Sequence, residues 1–98
     1  FEYGNIKVDL NSLSLTTQTG KSSLSAREGR LLKIFMENTD RVLSREQILD
    51  MVWGVDYMGT SRTVDNFVVN LRKKVEVEGS TLKIITVRGL GYRLEVSS

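Results

Sequence analysis

The chain has no cysteine and no histidine among its 98 residues. Without cysteine there is no disulfide framework and no thiolate chemistry, and a reducing cytoplasm is the expected setting. Without histidine the usual general base is missing, and with both absent the commonest metal ligands and thiol nucleophile are missing too. Neither a metal nor a cofactor is expected. Carboxylates remain, but Glu28 and Glu46 sit where helix capping and first-turn electrostatics explain them. Asp56 has no second acid in the sequence to pair with for acid–base work. An enzyme is hard to build from this set. No apolar run approaches the roughly 18 residues a membrane-spanning helix requires, so no membrane partner is expected, and the opening residues do not read as a signal peptide.

Charge of one sign is not in strong excess either: the formal net charge is +2. Its distribution says more. Residues 1–59 carry seven basic and eight acidic side chains, and residues 60–98 carry seven basic and four acidic. The positive surplus gathers towards the C-terminus, as a footprint for phosphates would; a solvated helix face fits the charge alone equally well. The 40% apolar and 27% charged fractions are those of an ordinary globular protein and argue against disorder. A chain this long makes one domain. Folding at this size buries about two thirds of the surface the unfolded chain exposes, so one modest core must suffice.

Hydrophobic periodicity divides residues 1–98 into three stretches. Over residues 1–24, Ile6, Val8 and Leu10 alternate with Lys7 and Asp9, and Leu13 and Leu15 alternate with Ser14 and Thr16. Gly4-Asn5, Asn11-Ser12 and Thr19-Gly20 supply turns, which predicts a small antiparallel sheet of three or four strands. Residues 25–78 read as three helices. Ser25-Ala-Arg-Glu28 is a capping box opening a helix with Leu31, Leu32, Ile34, Phe35 and Met36 inward, ending near Asn38. Asp40 to Leu43 reads as an extended link with Val42 and Leu43 packed inward. Ser44-Arg-Glu-Gln47 is a second box, opening a helix with Ile48, Leu49, Val52 and Trp53 on its dry side and Gly54 placed to end it. A loop to Thr60 leads to a third helix starting near Ser61 and broken by Gly79. Residues 82–96 then read as two strands, Leu82–Val87 and Tyr92–Val96, joined across Gly89-Leu-Gly91.

The third helix carries a clean apolar stripe, Val64, Phe67, Val68, Leu71 and Val75. Arg62, Asn66, Val69, Asn70 and Lys73 fall opposite, with Arg72 and Lys74 at the edges. Val69 is the telling residue, because a solvated face would normally place Lys or Glu there, whereas a groove-reading face can set it against a thymine methyl. Asn66 and Asn70 are poor helix formers mid-helix, yet asparagine pairs bidentately with adenine. Arg72 suits either a guanine or a phosphate. Arg88, beside the glycine turn, is placed to enter a narrow minor groove. A helix of the dimensions of the major groove beside an arginine-bearing hairpin is the outline of a winged helix and points to sequence-specific DNA binding. Trp53 reads equally as core and as an indole N–H donor to phosphate. Gly89-Leu-Gly91 is no phosphate loop, since a third glycine and a following helix are absent.

Several blocks are more specific than any of these patterns. They are Val42-Leu-Ser-Arg-Glu-Gln-Ile-Leu49, Val52-Trp-Gly54, Arg62-Thr-Val-Asp65, Leu71-Arg-Lys73 and Thr86-Val-Arg-Gly-Leu-Gly-Tyr-Arg93. In register and in order along essentially the whole chain, they resemble the OmpR/PhoB-type effector domain of bacterial response regulators. The resemblance implies an α+β winged helix-turn-helix with an N-terminal antiparallel sheet, three helices and a C-terminal β-hairpin wing. It implies a transcription factor on tandem direct repeats of double-stranded DNA, monomeric alone and dimeric on DNA. The resemblance makes Asn70 and Arg72 base-facing and Arg88 the minor-groove arginine, and the reading of the helix face adds Asn66, Val69 and Lys73 to the base-contacting set. Phosphate contacts would come from Arg45, Trp53, Arg62, Thr63, Lys74, Tyr92 and Arg93. The loop Val55, Asp56, Tyr57, Met58, Gly59 and Thr60 would face RNA polymerase. The family's receiver domain, phosphorylated under a sensor histidine kinase, is expected in a full-length protein and is absent from these residues. One departure is Phe67-Val-Val-Asn70, where family members carry a basic cluster; it implies weaker binding per domain or a site richer in A·T. The alternative is a winged-helix module that binds protein through the third helix or the Tyr57-Met58 loop, which would show little affinity for duplex DNA.

Overall fold

The alternation of Ile6 and Val8 with Lys7 and Asp9 becomes a strand with its two apolar residues buried and its two charged ones exposed. In the computed structural model, residues 2–3, 6–54, 60, 62–76 and 81–96 are described. Strands β1 (Glu2–Tyr3), β2 (Ile6–Asp9), β3 (Ser14–Thr17) and β4 (Gly20–Ser23) form an antiparallel sheet in sequence order. Leu10 and Leu13 leave the ladder sooner than the alternation predicts. The Asp9 carboxylate accepts from the backbone N–H of Asn11 at 2.9 Å and of Ser12 at 3.2 Å. That local turn reverses the chain early and puts Leu13 at a φ of 53°. Both leucines still pack on the core from the turn.

Both capping boxes form as the sequence predicts. Helix α1 (Ala26–Glu37) is capped by Ser25 and Glu28, and α2 (Arg45–Val52) by Ser44 and Gln47, each pair satisfying two otherwise free N–H groups reciprocally. Gly54 follows α2 at a φ of 100°, the left-handed exit that glycine makes cheaply. Helix α3 (Arg62–Val75) buries Val64, Val68, Leu71 and Val75 completely. The expected start at Ser61 and the breaker Gly79 lie outside the described residues. Strands β5 (Leu82–Val87) and β6 (Gly91–Val96) pair antiparallel as the C-terminal hairpin.

The three helices, β2, β3 and both hairpin strands share one core. Leu31, Leu32 and Phe35 of α1 meet Ile48 of α2, the stripe of α3, Ile6 and Leu15 of the first sheet, and Leu82 and Leu94 of the hairpin. Each such side chain contributes on the order of 2 kcal/mol by leaving water. The link before α2 differs from expectation on one residue. Leu43 is buried at 5% exposure while Val42 is 39% exposed. Leu43 exchanges both backbone hydrogen bonds with Tyr92, at 2.8 and 2.9 Å, so it behaves as a one-residue strand beside β6. Successive residues of a strand face opposite sides, and Val42 faces out. The bridge fixes the hairpin to the N-terminus of α2.

Candidate nucleic-acid interface

Turning α3 about its axis puts Arg62, Asn66, Val69, Asn70 and Lys73 on one exposed stripe, opposite the buried valines and Leu71. The spacing of four, three, one and three residues is that of a single helix face. Val69 is 48% exposed, one of few large apolar side chains so placed. The two ends of the stripe are cationic and its middle is neutral. No helix among the described residues is long and apolar enough to cross a membrane.

A polar network behind the stripe holds α3 against α2 and the hairpin. Asp65, on the first turn of α3, accepts on one oxygen from Arg45 Nε at 2.7 Å and from the Tyr92 hydroxyl at 2.6 Å. Two guanidiniums, those of Arg45 and Arg72, lie over the Tyr92 ring, each 5.6 Å from its centroid. Burial works against an ionised Asp65, but the hydrogen bonds from Tyr92 and Arg45 outweigh it and hold the carboxyl below its ordinary value. Burial, reinforced by the bond to Asp65, pushes the Tyr92 phenol up. The hydrogen bond to Asp65, followed by that to Tyr92, strengthens the hold of Arg45 on its proton. Three elements distant in sequence are thereby tied at one carboxylate.

Several of the expected contact residues are half-buried or hydrogen-bonded within the domain itself. Arg72 turns into the hairpin, donating from Nε and Nη2 to Ile84 O at 2.9 and 2.7 Å and from Nη2 to Thr86 Oγ1 at 2.6 Å. Lys74 turns to the opposite side and donates to Ser23 O and Glu28 Oε1, both at 2.9 Å. Burial opposes ionisation of Glu28, yet the Ser25 N–H and Lys74 bring its carboxyl below the ordinary range. Tyr92 is 5% exposed with its hydroxyl spent on Asp65. Arg93 is half-buried, its Nη2 on Glu95 at 3.1 Å and its Nε enclosed without a hydrogen-bond partner. Trp53 caps α2 half-buried, edge-on to Phe67 at 4.9 Å, with the Arg27 guanidinium 5.8 Å from its ring. Thr63 is half-buried in the first turn, its N–H on Thr60 O at 3.0 Å. Thr60 is exposed, and Val55 to Gly59 lie outside the described residues.

The hairpin turn presents Arg88, Gly89 and Leu90, all exposed, with Leu90 at 62%. Gly89 takes a φ of 78° at the tip. Gly91 has another reason to be glycine. A Cβ there would strike the Leu43 carbonyl and lie 2.8 Å from Ser44 Cα, at a φ of 152°. The close approach is what allows the Leu43–Tyr92 bridge.

The role of Asp65 could not be read from periodicity. Its partners lie 20 and 27 residues away, and no local pattern joins them. The one available signal was an acid on the first turn of the most basic helix, beside an arginine and a threonine. Among the described residues no group of three or more acids could hold a metal ion.

Comparison with known proteins places this geometry. Residues 19–94 match the family described as transcriptional regulatory protein, C terminal. The sensory transduction protein RegX3 of Mycobacterium leprae (strain TN) is 40% identical over 95 residues, covering 96% of this chain and 48% of RegX3. The chain thus spans about half the length of the curated relatives it matches. The DNA-binding domain of E. coli CadC superposes with a TM-score of 0.86 at 29% identity, covering 97% of this chain and 90% of that one. The DNA-binding domain of the response regulator AdeR, solved in complex with an intercistronic region, gives 0.81 at 29% identity, covering 98% and 99%.

Proposed function

The chain belongs to the C-terminal domains of transcriptional regulatory proteins, as an OmpR/PhoB-type DNA-binding effector domain, and from that premise we propose how it meets its site. Helix α3 enters the major groove with Asn66, Val69, Asn70 and Lys73 towards the base edges. Asn66 and Asn70 suit adenine N6 and N7, and Val69 suits a thymine methyl. Arg62 and Thr63 at the helix start, with Arg45 and Trp53 on α2, meet phosphates. Arg88 enters the flanking minor groove from the hairpin, which acts as the wing.

One observation carries the reading: the exposed stripe of α3 is neutral and partly apolar in its middle, between a cation at either end. A face evolved only to be wetted gains nothing from Val69 and two asparagines, which cost helix propensity. A face that reads A·T pairs uses all three. Two such domains on direct repeats, monomeric until DNA aligns them, complete the proposal. In the longer protein the partners are a receiver domain, a sensor histidine kinase and RNA polymerase, the last through residues 55–60, in the cytoplasm.

Selection from a random duplex library at moderate salt tests this. A motif repeated in the same direction about 10–11 base pairs apart, the spacing of same-face docking, is the expected result. A flat pool, with little salt dependence of duplex binding, would instead bring forward a protein-binding module.

A further inference from the structure

Among the described residues strand β5 pairs with β6 alone, so every second residue along it points its N–H and C=O away from the partner strand. Ile84 is such a residue, and the C-terminal end of α3 with the residue after it captures both of its groups. Arg72 donates two bonds to Ile84 O, at 2.9 and 2.7 Å, and Glu76, one turn further on, accepts from Ile84 N at 3.1 Å. The two side chains also face each other, Arg72 Nε to Glu76 Oε2 at 3.5 Å. An arginine on the last turn of α3 and a glutamate just beyond its end therefore bond the edge of β5 where, among the described residues, no second strand does. The grip extends towards the tip, since Arg72 Nη2 also reaches Thr86 Oγ1 at 2.6 Å. Thr86 stands two residues, about 7 Å of extended chain, before Arg88. On the other strand the Arg72 guanidinium stacks over Tyr92.

We propose that Arg72 and Glu76 are a positioning pair that carries the orientation of α3 into the wing and so sets how Arg88 reads the flanking minor groove. The inference rests on the docking of α3 and wing put forward above. A bidentate guanidinium on one carbonyl admits a single orientation, which a lysine at the same place does not reproduce. The wing is thus held at one angle to the helix. Seating α3 in the major groove then fixes where Arg88 arrives. Arg72 acts on sequence preference outside the core motif without touching a base.

The test uses the 98-residue chain on duplexes with a fixed core motif and randomised flanks, with Arg72→Met, Thr86→Val and Arg88→Ala, singly and combined. Arg72→Met is expected to flatten the A·T preference of the flank and leave the core motif as it was. Arg88→Ala, costly in the parent, should cost roughly fivefold less once Arg72 is methionine, the size of coupling expected between residues of one network. Thr86→Val removes one contact from an exposed residue and keeps the fold; it should shift flank preference in the same direction by less. Three results overturn the inference. Strictly additive costs of Arg72→Met and Arg88→Ala would mean that Arg72 does not act through the wing. An altered core motif would make Arg72 a base reader. An unchanged flank preference in the folded Thr86→Val and Arg72→Met variants would make the pair structural only. If the parent itself ignores both the flank and Arg88→Ala, the wing reading fails first and takes this inference with it, a pattern distinct from the other three.

Discussion

Replacing Tyr92 with phenylalanine removes one hydroxyl and little else. The ring keeps its contacts with Arg45 and Arg72, so the cost isolates the 2.6 Å bond to Asp65. A hydrogen bond to an ionised acceptor is worth about 1.5–3 kcal/mol. The Asp65 side chain is 37% exposed and keeps Arg45 on the same oxygen. Solvent and the surviving partner reduce the loss to about 1–2 kcal/mol. In a domain of this length that lowers Tm by about 5–10 °C, followed by circular dichroism, with an unchanged denaturant m-value showing that the fold is intact. The pH dependence follows from Asp65, whose folded pKa is lowered from 3.8. Its contribution is complete above that unfolded value and is lost as pH falls through the lower folded one. The gap between parent and variant should therefore hold from neutrality to about pH 4 and narrow below. On the alkaline side the phenol, raised from 10.0, contributes fully below that unfolded value and loses its share as pH rises through the folded one. A gap under about 0.5 kcal/mol at neutrality, or one equally large well below pH 3.8, would refute the charged-bond argument.

Gly91→Ala drives a Cβ into the Leu43 carbonyl and should cost about 3 kcal/mol or more, while Gly89→Ala meets open space and pays only its left-handed φ, about 1 kcal/mol. Thermal melts ranking the two the other way would contradict the close-approach argument. Asn70→Ala should relax base preference at one position, by about 1–3 kcal/mol of discrimination, and leave the salt slope of binding alone; a uniform loss across sequences would sink the base-contact role. Lys74→Met should destabilise the fold by about 1 kcal/mol through Ser23 and Glu28 and leave that slope unchanged. A slope shallower by about 0.9 would return Lys74 to the phosphate contacts.

The helices were legible because their causes are local. A serine three residues before glutamate or glutamine closes a capping box by itself, and both boxes formed where the spacing put them. The α3 stripe was equally plain, since burial of Val64, Val68 and Leu71 leaves Asn66, Val69 and Asn70 no face but the outer one. What periodicity could not supply was the fate of side chains at a stripe's edge. Arg72 and Lys74 sit on either side of the exposed face, and only the position of β5 and of β4 decides which way each turns. Val42 was misread for a similar reason: an apolar pair in a link gives no parity until Leu43 is seen bridging to Tyr92. The turn at Asp9 shows the reverse, a local hydrogen bond overriding an alternation that ran one residue too far.

Arg72, Lys73 and Lys74 are consecutive, so they point about 100° apart around the helix. One grips the wing, one stays on the exposed stripe, and one holds the N-terminal sheet. All three stabilise the negative end of the α3 dipole, but only Lys73 remains free to face a polyanion in the proposed docking. The net charge of this half of the chain therefore overstates its pull on DNA. Arg62, Lys73 and Arg88, with Arg45 shared between Asp65 and solvent, leave about four cations towards DNA in the proposed docking, a log–log salt slope of at most about −3 to −4. A single copy binding through so few contacts is weak at physiological salt. In the proposed docking the neutral middle of the α3 stripe would add discrimination and little affinity. The proposed docking would then favour a second copy on the same DNA, where two modest contacts held together exceed either alone by orders of magnitude. That is the physical case for the proposed tandem sites, since α3 spends two of its last three cations, Arg72 and Lys74, on the fold itself.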